Sequence, residues 1–245
     1  MQKNAVQTIA EPVMDGFDKA LLETGGLPEY LEKNYWWAYL HPSTMPFFEQ
    51  QWVINSILWG NYARLRDVTL AEMGKTICGR TLQIACVYGN LTSKLAQRLH
   101  PQARLDVVDV APIQLKNLAR KVSGGNIFLE CQDAAELKFD DNSFDQVLLF
   151  FLLHELPANT RKEAASEALR VLKPGGKLIF IDYHKPAWMH PHRYLMPLIF
   201  RTLEPFALDL WRTEIVDWIT AECPPHSIEK KTYFGGLYQK VVIVK

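Results

Sequence analysis

The chain reads as an α/β protein whose mostly parallel sheet is covered by helices on both faces. Three observations predict this class. From Ile77 to Lys245, short apolar runs of strand length alternate with stretches of helical spacing, which calls for βα units. Residues 144–150 form an apolar run suited to a strand buried on both faces. Two further strand-like runs, residues 228–234 and 237–244, flank Gly235-Gly236, which predicts a hairpin and an antiparallel last strand.

Each element follows from its local pattern. Residues 81–86 are the first strand and 91–99 its helix, while 104–108 are the second strand, ending at Asp109. Pro112 opens a helix reaching about Lys121, because proline is tolerated in a first helical turn. Residues 126–130 are a third strand with Asp133 just beyond it, and His154 and Glu155 follow the fourth. Ala164, Ala168 and Leu172 give helical spacing over 160–172, Pro174-Gly175-Gly176 stops it, and 177–181 form a fifth strand ending at Asp182. Residues 1–76 read as a helical, aromatic-rich cap over the open end of the sheet, carrying Tyr35, Trp36, Trp37, Tyr39, Trp52 and Trp59. Residues 77–245 form the main domain, and its insertion at 185–219, with Trp188, Trp211 and Trp218, lies on the substrate side.

Composition narrows the function. With 48% apolar residues in 245, the chain can bury a large core, and 27 acidic against 27 basic residues give no electrostatic footprint for nucleic acid. A small-molecule ligand is expected instead. Cys78, Cys86, Cys131 and Cys223 lack paired spacing, which disfavours a disulfide framework or a thiolate zinc site and suits a reducing compartment. No signal-like leader and no spanning segment is read, so a cytoplasmic location is expected; the sequence leaves oligomeric state open.

The most informative stretch is Leu82-Gln83-Ile84-Ala85-Cys86-Val87-Tyr88-Gly89-Asn90. It sits where a Rossmann-like unit places an acid and then a Gly-x-Gly-x-Gly turn, so that bare backbone can approach a nucleotide-type ligand at a helix N-terminus. Here the acid position is Gln83, and the glycine positions are Ala85, Val87 and Gly89. Side chains occupy space that such a ligand normally fills.

The order of landmarks over 77–245 resembles a class I S-adenosylmethionine-dependent methyltransferase, which implies a Rossmann-like seven-stranded sheet. Gln132-Asp133-Ala134-Ala135-Glu136-Leu137-Lys138-Phe139, then Asp141-Asn142-Ser143-Phe144-Asp145, is similar to that family's adenine-binding segment; Arg170-Val171-Leu172-Lys173-Pro174-Gly175-Gly176 is similar to its turn before strand five. The resemblance implies that Asp109 binds the ribose hydroxyls and Asp133 the adenine amino group. Gln83, Ala85, Val87, Tyr88, Gly89, Val110, Ala134 and Phe150 complete the implied cofactor contacts.

With the N-terminus included, Tyr35-Trp36-Trp37-Ala38-Tyr39-Leu40-His41-Pro42, then Gln51-Trp52-Val53-Ile54-Asn55 and Ile57-Leu58-Trp59-Gly60-Asn61-Tyr62, together with the Val87-Tyr88-Gly89 loop, resemble the rhodoquinone-biosynthesis family called RquA. That resemblance covers nearly the whole chain. It implies that a ubiquinone ring methoxy group is replaced by an amino group, with S-adenosylmethionine as amino donor and Mn²⁺ required. The alternative is a conventional methyltransferase acting on a lipid quinol or aromatic.

The residues suggest a rationale for amination. A neutral Gln83 removes a negative charge that would favour the donor's protonated ammonium, and each pKa unit so lost is about 1.4 kcal/mol. Val87 and Tyr88 would then turn the donor's nitrogen toward the quinone. Tyr88, His154 and Asp182 are the expected catalytic residues, and Asp182, His184 and His154 the expected metal ligands, since Mn²⁺ favours carboxylate and imidazole. Met189-His190-Pro191-His192-Arg193 reads as a polar loop, and His41 either orients substrate or stops a helix. A ubiquinone enzyme must meet a bilayer, and Trp188, Met189, Tyr194, Leu195, Met196, Leu198, Ile199 and Phe200, flanked by Lys185, His192, Arg193 and Arg201, read as an interfacial segment. Peripheral contact with the inner face of the inner membrane is therefore expected.

Overall fold

The computed structural model describes residues 16–20, 26–41, 43–124, 126–220 and 226–245. Residues 1–15, 21–25, Pro42, Gly125 and 221–225, Cys223 among them, lie outside the described residues.

The sheet has seven strands in the order β3-β2-β1-β4-β5-β7-β6, namely β1 Arg80–Ile84, β2 Arg104–Asp109, β3 Ile127–Cys131, β4 Phe144–Phe150, β5 Leu172–Tyr183, β6 Ser227–Tyr233 and β7 Tyr238–Val244. The first five strands run parallel, and β7 lies antiparallel to both β5 and β6. The predicted hairpin is present, with Gly235 and Gly236 both at positive φ (61° and 90°) between its strands. Chain order reverses between β1 and β4, so their carboxyl ends open a crevice.

Before β1 come α1 Glu29–Asn34, a π-helical turn Trp36–Leu40, α2 Met45–Phe48, α3 Gln51–Ile57 and α4 Tyr62–Met73. Between strands lie α5 Leu91–Ala96, α6 Pro112–Ala119 and α7 Ala158–Val171; after β5 come α8 His192–Leu203, α9 Ala207–Leu210 and α10 Ile215–Thr220. Strand pleating divides the core. Leu148, Phe150, Ile179 and Ile181 pack toward α4 and α5, whereas Val147, Leu149, Leu178 and Phe180 pack toward α7. Each such fully buried side chain contributes about 1.5–3 kcal/mol. Ala164, Ala165 and Ala168 let α7 lie close on the sheet.

Two boundaries differ from expectation. The first βα helix ends at Ala96 rather than 99, because Ile77 bridges to Leu99 and draws the chain into a short strand contact. Strand five starts at Leu172, not 177: Leu172 pairs with Phe144, and Pro174-Gly175-Gly176 sits inside the strand at a register shift, with Gly175 at φ 75°. The turn signal there marks a β-irregularity.

Candidate functional site

A cavity of about 460 Å³ lies over the carboxyl ends of β1, β2 and β4. The strand ends, the N-terminal helices and α8 all contribute walls, and most of its lining is apolar.

The altered loop forms one wall. Ala85 adopts φ 71°, a conformation that costs an alanine about 1 kcal/mol and favours glycine, and its N–H donates to Val108 O at 2.8 Å. Phe151, at the end of β4, has φ 54° and also faces the cavity. Two strained residues at one rim mark a functional region. Val87 and Tyr88 line the wall. The Tyr88 hydroxyl donates to Ala38 O at 2.5 Å and accepts from Gln114 Nε2 at 3.0 Å. Its ring stacks on Tyr39 and Phe48, each at 5.7 Å between centroids. Burial raises the phenol's pKa, so Tyr88 stays neutral. The tyrosine thus fastens the aromatic cap to the loop.

Two expected cofactor contacts, Gln83 and Gly89, do not line the cavity. Gln83 does not reach the cavity: pleating sends it toward α5, where Nε2 donates to Ala85 O and Oε1 accepts from Thr92 Oγ1, both at 3.0 Å. It braces the loop rather than facing a ligand. Gly89 is likewise covered, since a Cβ there would lie 2.5 Å from the Tyr62 hydroxyl. Its N–H reaches Glu49 Oε2 at 3.3 Å, and Glu49 pairs with Lys121 at 2.6 Å.

Asp109, Val110, Asp133, Ala134 and Phe150 all line the cavity. Asp109 accepts Cys86 N–H on Oδ2 at 2.7 Å and Ala111 N–H on Oδ1 at 2.8 Å. Burial pushes its pKa up to about 6, against those two hydrogen bonds, which lower it. Each oxygen keeps a lone pair for a hydroxyl. Asp133 accepts Ala135 N–H at 2.8 Å through Oδ1. A nucleoside with a vicinal diol fits this pair of carboxylates.

The opposite wall holds charge. His154 Nδ1 lies 2.9 Å from Asp182 Oδ1, and Asp182 also accepts the N–H groups of Leu153 (2.8 Å) and Tyr183 (2.7 Å). Burial alone would lower the His154 pKa; the Asp182 charge and hydrogen bond, with Glu204 and Glu155, hold it up at about 9. His154 Nε2 faces Glu155 Oε1 at 3.8 Å and Glu204 Oε2 at 3.9 Å. Burial raises both glutamate pKa values. The Tyr39 hydroxyl donates to Glu155. Arg161, 1% exposed, donates to Leu153 O, Leu156 O and Phe206 O, fixing the turn that carries His154.

Of the expected metal ligands, Asp182 and His154 are brought together and His184 is not. Asp182 spends both oxygens on backbone N–H groups and His154, while His184 turns to the hairpin, with Nδ1 2.8 Å from Gly236 O and Nε2 3.1 Å from Lys230 Nζ. His184 lies just beyond the end of β5, and its ring is held at the hairpin rather than beside Asp182. Among the described residues no group of three or more His, Cys, Asp or Glu side chains is arranged to hold a metal ion, so the donor set does not fit Mn²⁺ and no step is drawn through one. His190 and His192 pack against each other, with centroids 5.0 Å apart, and His192 lies edge-on to Trp59.

Sequence reading passed over Tyr39, Glu49, Gln114, Arg161 and Glu204. Tyr39 stood among aromatics that read as packing, and the others carry no local motif; only the fold aims them at the loop or the His154 turn.

The fold is that of class I methyltransferases. A methyltransferase-domain family matches residues 81–176. The chain is 34% identical over 139 residues to the ubiquinone/menaquinone biosynthesis C-methyltransferase UbiE of Ectopseudomonas mendocina, covering 55% of this chain and 54% of that protein. UbiE of Pseudomonas fluorescens matches at 33% over the same length and shares. The chain thus spans about half the length of the curated relatives it matches. Among solved structures, a SAM-dependent methyltransferase from Aquifex aeolicus aligns with TM-score 0.54 at 16% identity, over 83% of this chain and 97% of that one. Phosphoethanolamine N-methyltransferase 2 of Haemonchus contortus, solved with S-adenosyl-L-methionine, aligns with TM-score 0.59 at 14% identity, over 84% and 60%.

Proposed function

We propose that this chain replaces a ring methoxy group of ubiquinone with an amino group, yielding rhodoquinone, with S-adenosylmethionine as the nitrogen donor. The observation that supports it most is Tyr88. It stands at the loop where methyltransferases leave backbone bare, and it is locked by Ala38, Gln114, Tyr39 and Phe48. Such a side chain displaces the amino-acid end of a donor whose nucleoside is held by Asp109 and Asp133. Quinone chemistry is favoured by the apolar, aromatic-walled cavity and by the similarity to the ubiquinone/menaquinone C-methyltransferases.

In this reaction the donor's α-nitrogen forms the ring C–N bond, the ring C–O bond to methoxy breaks, and methoxide takes a proton to leave as methanol. His154, kept as imidazolium by Asp182, supplies that proton from Nε2. Glu155, hydrogen-bonded by Tyr39, takes the proton shed by the incoming nitrogen. The donor's Cα–N bond is then released as the quinone ring takes up the Cα electron pair and water hydrolyses the resulting imine. This leaves the amino group on the reduced ring and the donor remnant as a 2-oxo acid. The rationale for Gln83 changes accordingly: the neutral residue leaves no carboxylate at that position, and its amide acts through the loop's shape from outside the cavity lining.

A second reading, C-methylation of a quinol, is favoured by the UbiE relatives. Isotope labelling separates the two. Donor labelled with ¹⁵N on the α-amine should give ring-labelled aminoquinone; a product carrying the donor's methyl group instead overturns the amination reading.

A further inference from the structure

Helix α8 is apolar on two sides. Met196 and Phe200 are buried against the domain, yet Tyr194 (69% exposed), Leu195 and Leu198 (66%) form a stripe facing outward. The preceding loop adds Trp188 (71%) and Met189. An outward apolar stripe on a helix already packed on its other side signals an unmet apolar partner. A second arm stands beside it, where Phe47, Trp52 (64%) and Ile57 of α2 and α3 are exposed. Trp59 connects the arms through its ring contact with His192, 4.3 Å between centroids.

The two arms flank the cavity. Ile57 and Trp59 line it from the cap, and Ile199 and Leu203 line it from α8, so the exposed apolar surface runs into the apolar interior. Charge is arranged to match. From His184 to Leu203 there is no acidic residue, while Lys185, Arg193 and Arg201 are basic; on the cap arm, residues 43–61 hold one acid, Glu49, which is paired with Lys121. Among the described residues no helix is long and apolar enough to cross a membrane.

We infer that the α8 arm and the α2–α3 arm together form a docking surface for an anionic lipid bilayer, seated around the cavity mouth so that a lipid-borne substrate enters from the membrane. Tryptophan and tyrosine suit the headgroup region, and the cations meet anionic headgroups. The entry role rests on the quinone reading above; the docking surface itself does not.

Flotation of the full chain with phosphatidylcholine vesicles, with and without phosphatidylglycerol, tests it. Binding should require the anionic lipid. Leu198→Glu and Trp52→Glu, one on each arm and both outside the cavity wall, should each weaken it about tenfold or more. Replacing Lys185 and Arg201 by Gln should weaken it about fivefold per cation removed. A wild-type chain that stays with the soluble fraction overturns the inference, as do variants that float like wild type. Self-association lost on the same substitutions, measured by light scattering without vesicles, would assign the face to a second copy and overturn it too. A tail-less quinone in vesicle-free buffer keeps the two readings apart. Wild type and both variants should aminate it equally; absence of amination there defeats the proposed function while leaving the flotation result standing.

Discussion

The Tyr88 ring lies parallel to that of Tyr39, 5.7 Å between centroids and 9° between planes, so a residue of the nucleotide-type loop and a residue of the cap form one wall of the cavity. Their hydroxyls point to different tasks: Tyr88 holds Ala38 O, and Tyr39 holds Glu155. The loop, the cap and the His154 turn are therefore one mechanical unit.

Tyr88→Phe should retain the stack and lose two hydrogen bonds, costing about 1–2 kcal/mol. Tyr88→Gly should cost about 3–5 kcal/mol by emptying the wall. Urea unfolding of both variants checks the order, and equal losses would refute the role of the ring.

Asp182→Asn leaves His154 buried without its counter-charge. A loss of about 3–5 kcal/mol is expected, as for other buried pairs broken on one side. The pH dependence carries the sign. The His154 pKa is raised to about 9 in the fold against about 6.5 in an unfolded chain, so its stabilisation is complete below about pH 6.5 and disappears as pH rises through about 9. Glu155 and Glu204, both raised, act in the same direction by favouring the fold at lower pH. Thermal melts between about pH 6 and 9.5 should show stability falling with pH in wild type, and a shallower fall in Asp182→Asn.

Donor binding should depend on Asp109 ionisation. Its pKa near 6 means the carboxylate is charged above that pH and protonated below it. Calorimetric titration with S-adenosylmethionine should give constant affinity above about pH 7 and a decline approaching tenfold per unit below 6. Asp109→Asn should flatten the profile and weaken binding by about 2 kcal/mol at neutral pH.

Gln83→Glu places a carboxylate where the amide donates to Ala85 O. The mutant should lose about 2–4 kcal/mol of stability by setting an acceptor against a carbonyl in the core. A ligand-facing role instead predicts little loss of stability and a large change in donor affinity, measured by the same titration.

Gly89→Ala tests the cover over the loop. Its φ of 88° and the 2.5 Å approach of the Tyr62 hydroxyl require both strain and displacement, so a loss of about 1–3 kcal/mol is expected in chemical unfolding.

What the sequence determined by itself is whatever depends on neighbours along the chain. Alternating apolar runs set the strands, Gly235-Gly236 set the hairpin, and the carboxylates after strands two and three fell at the cavity because strand ends in parallel sheets share one rim. Tertiary structure decided what depends on direction across space. Spacing placed Asp182 and His184 together, yet the carboxylate is held by His154 and the imidazole, just past the end of β5, by the hairpin. Within β1 the pleat turned Gln83 into the core, toward Thr92. Glu204, about 50 residues from His154 in the chain, reached its ring only because α8 folds back over the mouth, a long-range packing choice that no local pattern encodes.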